Sequence, residues 1–275
     1  MANNPLADTL GTILSKSLQN SNGELHRMCP HCKRDIPPYT IKNPFTGVET
    51  QVPVACKCET LEREREQREA AERVQKKETE RLFAFSKIGS RFEGETFIDF
   101  KQREGSEKAF EASKRYADSF DRETKNGLCL WGVPGNGKTK LAGMIANAVH
   151  AKGHTVVFQK TTDLLERIRS TFNKDNKENE AQIMRALRTC DLLILDELGA
   201  EKITDWVHDV IFRVIDGRYV DQKPVVVTSN VAPSKLNEAL GERIQDRVYE
   251  MCELVKNNGT SYRRELAEKR ARGEN

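Results

Sequence analysis

Gly132-Val133-Pro134-Gly135-Asn136-Gly137-Lys138-Thr139 carries glycine, lysine and threonine wherever a G-x-x-x-x-G-K-[ST] phosphate loop requires them. Ahead of it, Gly127-Leu128-Cys129-Leu130-Trp131 reads as a short buried strand. Behind it, Leu141 to His150 places apolar residues at helical spacing. That strand–loop–helix context gives the pattern a mechanism. Gly132, Gly135 and Gly137 let the backbone wrap around phosphate oxygens where a Cβ would obstruct it. The helix that follows turns its free N–H groups and positive dipole end toward the same anion. Lys138 is expected to reach the β- and γ-phosphates, and Thr139 to hold Mg2+ through its hydroxyl. Val133, Pro134, Asn136 and Lys140 complete the expected contact. The stretch marks a nucleotide site.

Further along, Asp191-Leu-Leu-Ile-Leu-Asp196-Glu197 is an apolar strand that ends in two acids. Asp196 at its C-terminal end suits the Mg2+ shell, and Glu197 suits orienting and polarising an attacking water. Val225-Val-Val-Thr-Ser229 is a further strand, followed by Asn230, whose amide could position that water or read the γ-phosphate. A strand over Thr155–Gln159, a polar helical region running to Arg188 and a helix from Glu107 to Phe120 fill the intervals. Strands alternating with helices predict a parallel sheet with its ligand at the strand C-termini. Cys129, Cys190 and Cys252 stand singly within or beside these elements and read as small buried hydrophobes.

The order GVPGNGKT, LLILDELG, VVVTSN, then Gly241-Glu-Arg-Ile-Gln-Asp-Arg247 and Gly259-Thr-Ser-Tyr-Arg263, resembles the AAA+ replicative helicase loaders of the DnaC/DnaI type. The IstB transposition helpers share this core. The resemblance runs from about Phe92 to Arg264. It implies an AAA+ ATPase domain that self-associates, with ATP and Mg2+ as its ligands. Asn230 falls at the sensor-1 position and Arg263 at the sensor-2 arginine. Arg247 matches the arginine finger that reaches a neighbour's ATP, and Arg243 is the second candidate. An arginine supplied across an interface stabilises the transferring phosphoryl group only once subunits assemble. An ion pair with Glu242 or Asp246 is the plainer role for either.

By the same resemblance, the polar stretch between Thr161 and Thr189 is the extra helical insertion of initiator-type AAA+ proteins and contacts single-stranded DNA. Lys160, Arg167, Arg169, Lys174 and Phe172 suit phosphate contact plus one stacking surface, although Glu178 and Glu180 dilute the charge. A solvated helical face reads equally from the composition. The short charged tail from Arg264 is expected to fray, and no duplex-reading domain is expected after Arg263.

Toward the other end, Cys29-Pro-His-Cys32 and Cys56-Lys-Cys58 flank a loop-rich stretch with Pro37, Pro38, Pro44, Gly47 and Pro53. Two thiolates on a tight knuckle can share one metal. A second pair, brought back by a small hairpin in an extended strand, would close a tetrahedral structural Zn2+ site. His26 and His31 are substitute ligands should Cys56 or Cys58 face away. Few large apolar residues lie here, so a metal staple is what would let the segment fold. This module resembles the zinc-containing, helicase-binding N-terminal domain of the DnaI branch. Before it, Leu6, Leu10, Ile13, Leu14 and Leu18 predict an amphipathic helix over residues 5–19, either a cover for the domain behind it or a docking helix. From Glu59 to Arg81, Glu, Arg, Lys, Gln and Ala favour a solvated helix without an apolar seam.

The expected organisation is a zinc-binding, helicase-interacting module over residues 1–58, a charged helical linker over 59–90 and an AAA+ α/β domain over 91–275. With 275 residues, a net charge of +3 and 32% charged residues, overall charge draws the chain to no nucleic acid; any such contact is local. No apolar run approaches the roughly 18 residues that a membrane span needs, and no secretory pattern opens the chain, so a cytoplasmic protein is expected. The function expected is ATP-dependent loading of a hexameric DnaB-type helicase onto single-stranded DNA. An IstB-like ATPase serving a transposase, or an adaptor that binds ATP without turnover, are the alternatives.

Overall fold

A computed structural model describes residues 27–83, 92, 94–173, 176–202 and 204–273. The helix expected over 5–19, His26 and Lys174 lie outside the described residues. The chain divides into two units between Arg73 and Val74.

In the first unit, β1 (Arg27–Met28) pairs antiparallel with β2 (Asp35–Ile36), and Cys29 and Cys32 sit in the turn between them. A hairpin of β3 (Tyr39–Lys42) and β4 (Glu49–Val52) follows, with Tyr39 opposite Val52 and Ile41 opposite Thr50. Period-2 alternation therefore gathers Tyr39, Ile41, Thr50 and Val52 on one face and Thr40, Lys42, Glu49 and Gln51 on the other. Helix α1 (Lys57–Leu82) then begins, so Cys56 precedes its first turn and Cys58 lies within it. This corrects the extended strand expected for the second cysteine pair. The Glu59 carboxylate accepts the Cys56 backbone N–H at 2.8 Å and pairs with Arg27 at 2.5 Å. Arg27 and that N–H hold the Glu59 carboxyl down at about 2. The helix start is thus pinned to β1, a fixing that spacing alone does not reveal.

In the second unit, five strands form one wholly parallel sheet: β5 (Gly127–Trp131), β6 (Val156–Lys160), β7 (Leu192–Asp196), β8 (Val225–Ser229) and β9 (Cys252–Lys256). Their order across the sheet is β6-β7-β8-β5-β9. The strands read as continuous apolar runs because both faces are covered. Leu128, Leu130, Val156, Phe158, Leu192, Ile194 and Val226 turn to α2 (Glu107–Ser119) and α3 (Lys138–Ala151). Cys129, Val157, Leu193, Leu195, Val225 and Val227 turn to the opposite layer. That layer holds α4 (Thr161–Ser170), α5 (Glu180–Thr189), α6 (Asp205–Val220), α7 (Leu236–Leu240) and α8 (Glu242–Met251). Cys129, Cys190 and Cys252 are buried.

Two expectations change here. Helices α4 and α5 are amphipathic and bury Leu164, Leu165, Ile168, Ile183 and Leu187 in the core, so the stretch between β6 and β7 is part of the second core layer. The tail does not fray at Arg264. Helix α9 (Tyr262–Ala271) occupies it, rich in the helix formers Glu, Lys, Arg and Ala, with Arg103 paired to Glu265 at 3.1 Å.

Candidate functional site

Strand β5 lies inside the sheet between β8 and β9, so its C-terminal end opens where chain connections leave in opposite directions. The phosphate loop, residues 132–137, turns there before α3 begins at Lys138. Two of its glycines are there for space. A Cβ on Gly132 would come within 2.4 Å of the Asn257 carbonyl oxygen, and one on Gly135 within 2.4 Å of Ser261 Oγ. Both also have positive φ, at 149° and 84°. Lys138 is 5% exposed, and its Nζ donates to the Gly132 and Val133 carbonyls at 2.9 Å each and to Asn136 Oδ1 at 3.1 Å. Burial pulls the Lys138 pKa down to about 8, Asp196 and Glu197 opposing. The three acceptors match the three N–H groups of an ammonium, the form that would meet a phosphate.

Asp196 ends β7 under the same loop. Thr139 donates to its Oδ1 at 2.9 Å, and Thr228 of neighbouring β8 donates to the same oxygen at 2.6 Å. Burial pushes the Asp196 carboxyl up, while the Thr228 and Thr139 hydroxyls hold it down. Glu197 follows with φ of +60°, a left-handed conformation that a glutamate seldom adopts, and its N–H donates to Thr228 Oγ1 at 2.9 Å. Its carboxylate pairs with Lys160 at 3.0 Å, from the end of β6 directly opposite Asp196. Thr228 thus supports both acids. Sequence reasoning passed over it because only the β7–β8 adjacency gives a strand threonine that role.

A cleft of about 370 Å3 opens above these groups, lined by Pro134 to Lys140, Glu197, Thr228, Asn230 and Arg263. Its remaining wall includes Phe92, Phe100, Arg103 and Tyr262, which sequence reasoning did not place there. Arg103 lies 5.0 Å over the Tyr262 ring. Lys140 reaches the cleft but pairs with Glu95 at 2.5 Å. The residues fit a Mg2+–nucleotide: a hydroxyl and a buried carboxylate meet at one point, beside a buried ammonium and a helix N-terminus.

Arg243 and Arg247 line no part of this cleft. They project from α8 along α6. Arg247 Nε donates to Asp216 at 3.0 Å, and its guanidinium lies 4.0 Å over the Tyr219 ring. The plainer ion pair does form, with Asp216 in place of Asp246. Arg243 is exposed, 5.7 Å over the Phe212 ring, with no carboxylate partner among the described residues.

The expected DNA-contacting set disperses. Lys160 is held by Glu197, and Arg167 by Glu178 at 2.5 Å and the Leu82 carbonyl at 2.8 Å. Arg169 instead stacks 4.6 Å over Trp206, which Phe172 meets edge-on at 6.2 Å. Phe172 is 58% exposed. Trp206 joins this cluster from α6, remote in sequence from Arg169 and Phe172.

In the first unit, Cys29, Cys32, Cys56 and Cys58 bring their Sγ atoms within 4.8 Å of one another. Cys29 and Cys58 are 3.8 Å apart, Cys32 and Cys56 3.6 Å, and Cys56 and Cys58 3.4 Å. A tetrahedron with Zn–S bonds of about 2.3 Å has edges of about 3.8 Å, so the four thiols fit a closed zinc site. His31 stands outside the cluster, in the groove lined by Arg27 and Glu59. Among the described residues no helix is long and apolar enough to cross a membrane.

Known proteins share this architecture. Replicative helicase loader DnaC of Buchnera aphidicola subsp. Baizongia pistaciae (strain Bp) is 33% identical over 147 residues, 54% of this chain and 59% of that protein. The loader of the same name from Escherichia coli (strain K12) is 28% identical over 145 residues, 53% of this chain and 58% of that protein. The chain thus spans about three fifths of the length of these relatives. A crystal structure of the DnaC helicase loader superposes with a TM-score of 0.56 at 25% identity, covering 62% of this chain and all of that one. The DnaI structure, at 21% identity and a TM-score of 0.54, shares the fold. The second unit is an AAA+-type domain. The family described as IstB-like ATP binding protein matches residues 57–270, most of the chain, and to that family this chain belongs.

Proposed function

We propose that the protein is an ATPase that loads a DnaB-type hexameric helicase onto single-stranded DNA in the cytoplasm. The observation that carries this reading is the likeness to the solved DnaC helicase loader, all of whose chain is covered. Residues 91–275 would form the ATPase domain, residues 59–90 a connector and residues 1–58 the partner-binding module. Lys138 and the loop N–H groups would hold the phosphates, and Thr139 and Asp196 would hold Mg2+. That ion would neutralise phosphate charge. Glu197 would take the proton of the attacking water, with Asn230 orienting it and Arg263 contacting the terminal phosphate. Arg169 and Phe172, both exposed, with the half-buried Trp206, offer an aromatic and cationic surface suited to a stacked base. The apolar face bearing Tyr39 and Ile41, both exposed, with Phe45 at 94% exposure, suits a protein partner, because a lone hairpin with an uncovered apolar face is marginal in water.

The test is co-purification of the full chain with candidate helicases in the presence of ATP. Recovery of a DnaB-type hexamer supports loading. Recovery of a transposase with no helicase overturns it in favour of the second reading, an IstB-like transposition helper, which the family match favours.

The thiolate cluster gives a separate prediction. Metal analysis should find about one zinc per chain, and chelation should unfold the first unit while the second still binds nucleotide. Replacing Cys29 and Cys32 by serine should have the same effect. A metal-free protein with an unchanged circular dichroism spectrum and helicase affinity would remove the zinc assignment.

A further inference from the structure

The segment between β9 and α9 is wound over the phosphate loop, and Asn257 is its knot. Asn257 is 1% exposed, and its N–H continues the β5–β9 ladder by donating to the Trp131 carbonyl at 2.8 Å. Its side chain forms a reciprocal pair with Asn136 of the loop, itself fully buried. Asn257 Nδ2 donates to the Asn136 carbonyl at 3.0 Å, and Asn136 Nδ2 donates to the Asn257 carbonyl at 2.8 Å. The remaining amide oxygens are also used. Asn136 Oδ1 accepts from Lys138 Nζ at 3.1 Å, and Asn257 Oδ1 accepts from the Gly259 N–H at 3.0 Å. The latter bond fixes the turn into α9, where the Tyr262 N–H donates to the Gly135 carbonyl at 3.0 Å and Arg263 enters the cleft. At Gly132 and Gly135 the two segments approach too closely for a side chain to intervene.

We propose that Asn257 is a positioning residue that joins the phosphate loop and Arg263 into one body, so that the cleft discriminates nucleoside triphosphate from diphosphate. The proposal rests on the reading of Arg263 as the contact to the terminal phosphate. A loop that shifts as it takes up phosphate carries the Asn136 carbonyl with it. Through Asn257 and Gly259 that shift reaches the first turn of α9. An asparagine is required because its amide must donate to one carbonyl and accept from one N–H at the same time. Aspartate keeps the acceptor for Gly259 but loses the donor to Asn136, and alanine loses both.

Affinities of the full chain for ATP and ADP with Mg2+, measured for Asn257→Ala, Asn257→Asp, Arg263→Ala and each Asn257 variant combined with Arg263→Ala, test this. A charge-assisted bond to the terminal phosphate is worth a factor of about ten to one hundred, so Arg263→Ala should lower the ATP:ADP preference by that order. Asn257→Ala and Asn257→Asp should lower the same preference about tenfold, with ADP affinity changed less than about threefold. In the Arg263→Ala background they should lower it no further. Equal losses for ATP and ADP, or losses that multiply in the double variants, overturn the proposal and leave Asn257 a prop of the loop. An unchanged preference in Arg263→Ala overturns the Arg263 reading and the proposal with it, an outcome distinct from the first. Asn257→Asp, close to isosteric, keeps the comparison available if the alanine variant is unstable.

Discussion

Glu197→Gln should bind ATP as the wild type does and hydrolyse it about 10²–10⁴-fold more slowly, the usual worth of a positioned general base. The prediction comes from how differently the two adjacent acids are held. Asp196 is buried and takes hydroxyl bonds from Thr139 and Thr228, a place from which it can reach a metal beside the phosphate loop. Glu197 is turned by its positive φ toward the cleft and faces Lys160 at 3.0 Å. Glutamine keeps the shape and the backbone and removes only the basicity. Lys138→Ala should behave in the opposite sense, losing nucleotide binding itself, since the ammonium is a principal positive charge inside the loop. Single-turnover hydrolysis with radiolabelled ATP, beside equilibrium binding, separates the two. A wild-type hydrolysis rate in Glu197→Gln would remove Glu197 as the general base, and absence of single-turnover hydrolysis in the wild type would make the protein an adaptor for which ATP is only a conformational ligand.

What the sequence disclosed and what it concealed divide along a physical line. Gly132 to Thr139, the Asp196–Glu197 pair and the two cysteine pairs are local, and local chemistry is readable because the spacing itself is the constraint. Thr228 matters only because β8 lies beside β7, and Asn257 only because β9 lies beside β5. The second adjacency does not follow from strand order along the chain, since β5 pairs with the fourth and fifth strands of its sheet and not with the second. The first joins consecutive strands, but no spacing in the sequence marks Thr228. The basic stretch misled for the same reason. Lys160 and Arg167 look like free charges in sequence, and their partners Glu197 and Glu178 are apparent only after folding. Arg169 stayed available because its neighbour is the ring of Trp206, on another helix. The Cys56-Lys57-Cys58 spacing suggests an extended strand, where alternate residues share a face only approximately. A helix start serves as well, with Cys56 just outside it and Cys58 in its first turn.

If chains assemble so that an arginine of one completes the site of the next, removing that arginine should cost about 10³–10⁵ in hydrolysis while leaving ATP affinity unchanged. Both Arg243 and Arg247 lie outside their own subunit's cleft, as a residue acting on another subunit must. Their surroundings separate them. Arg247 is bound to Asp216 and stacked on Tyr219, so Arg247→Ala should also lower thermal stability by loosening α8 from α6. Arg243 is exposed and lies over Phe212 with no ion pair among the described residues, so it can leave at little cost. Each alanine variant, mixed with Lys138→Ala, forms some interfaces that pair an intact loop with an intact finger. The variant that loses hydrolysis alone and regains it on mixing carries the finger. An Arg247→Ala protein that loses activity and stability together, with no recovery on mixing, identifies a strut, and recovery by Arg243→Ala then assigns the finger one helical turn earlier. If hydrolysis per subunit does not change with protein concentration and neither arginine matters, each cleft works alone. Arg263 would then be the only arginine of the three acting on the nucleotide, since it alone of them lines the cleft of its own chain.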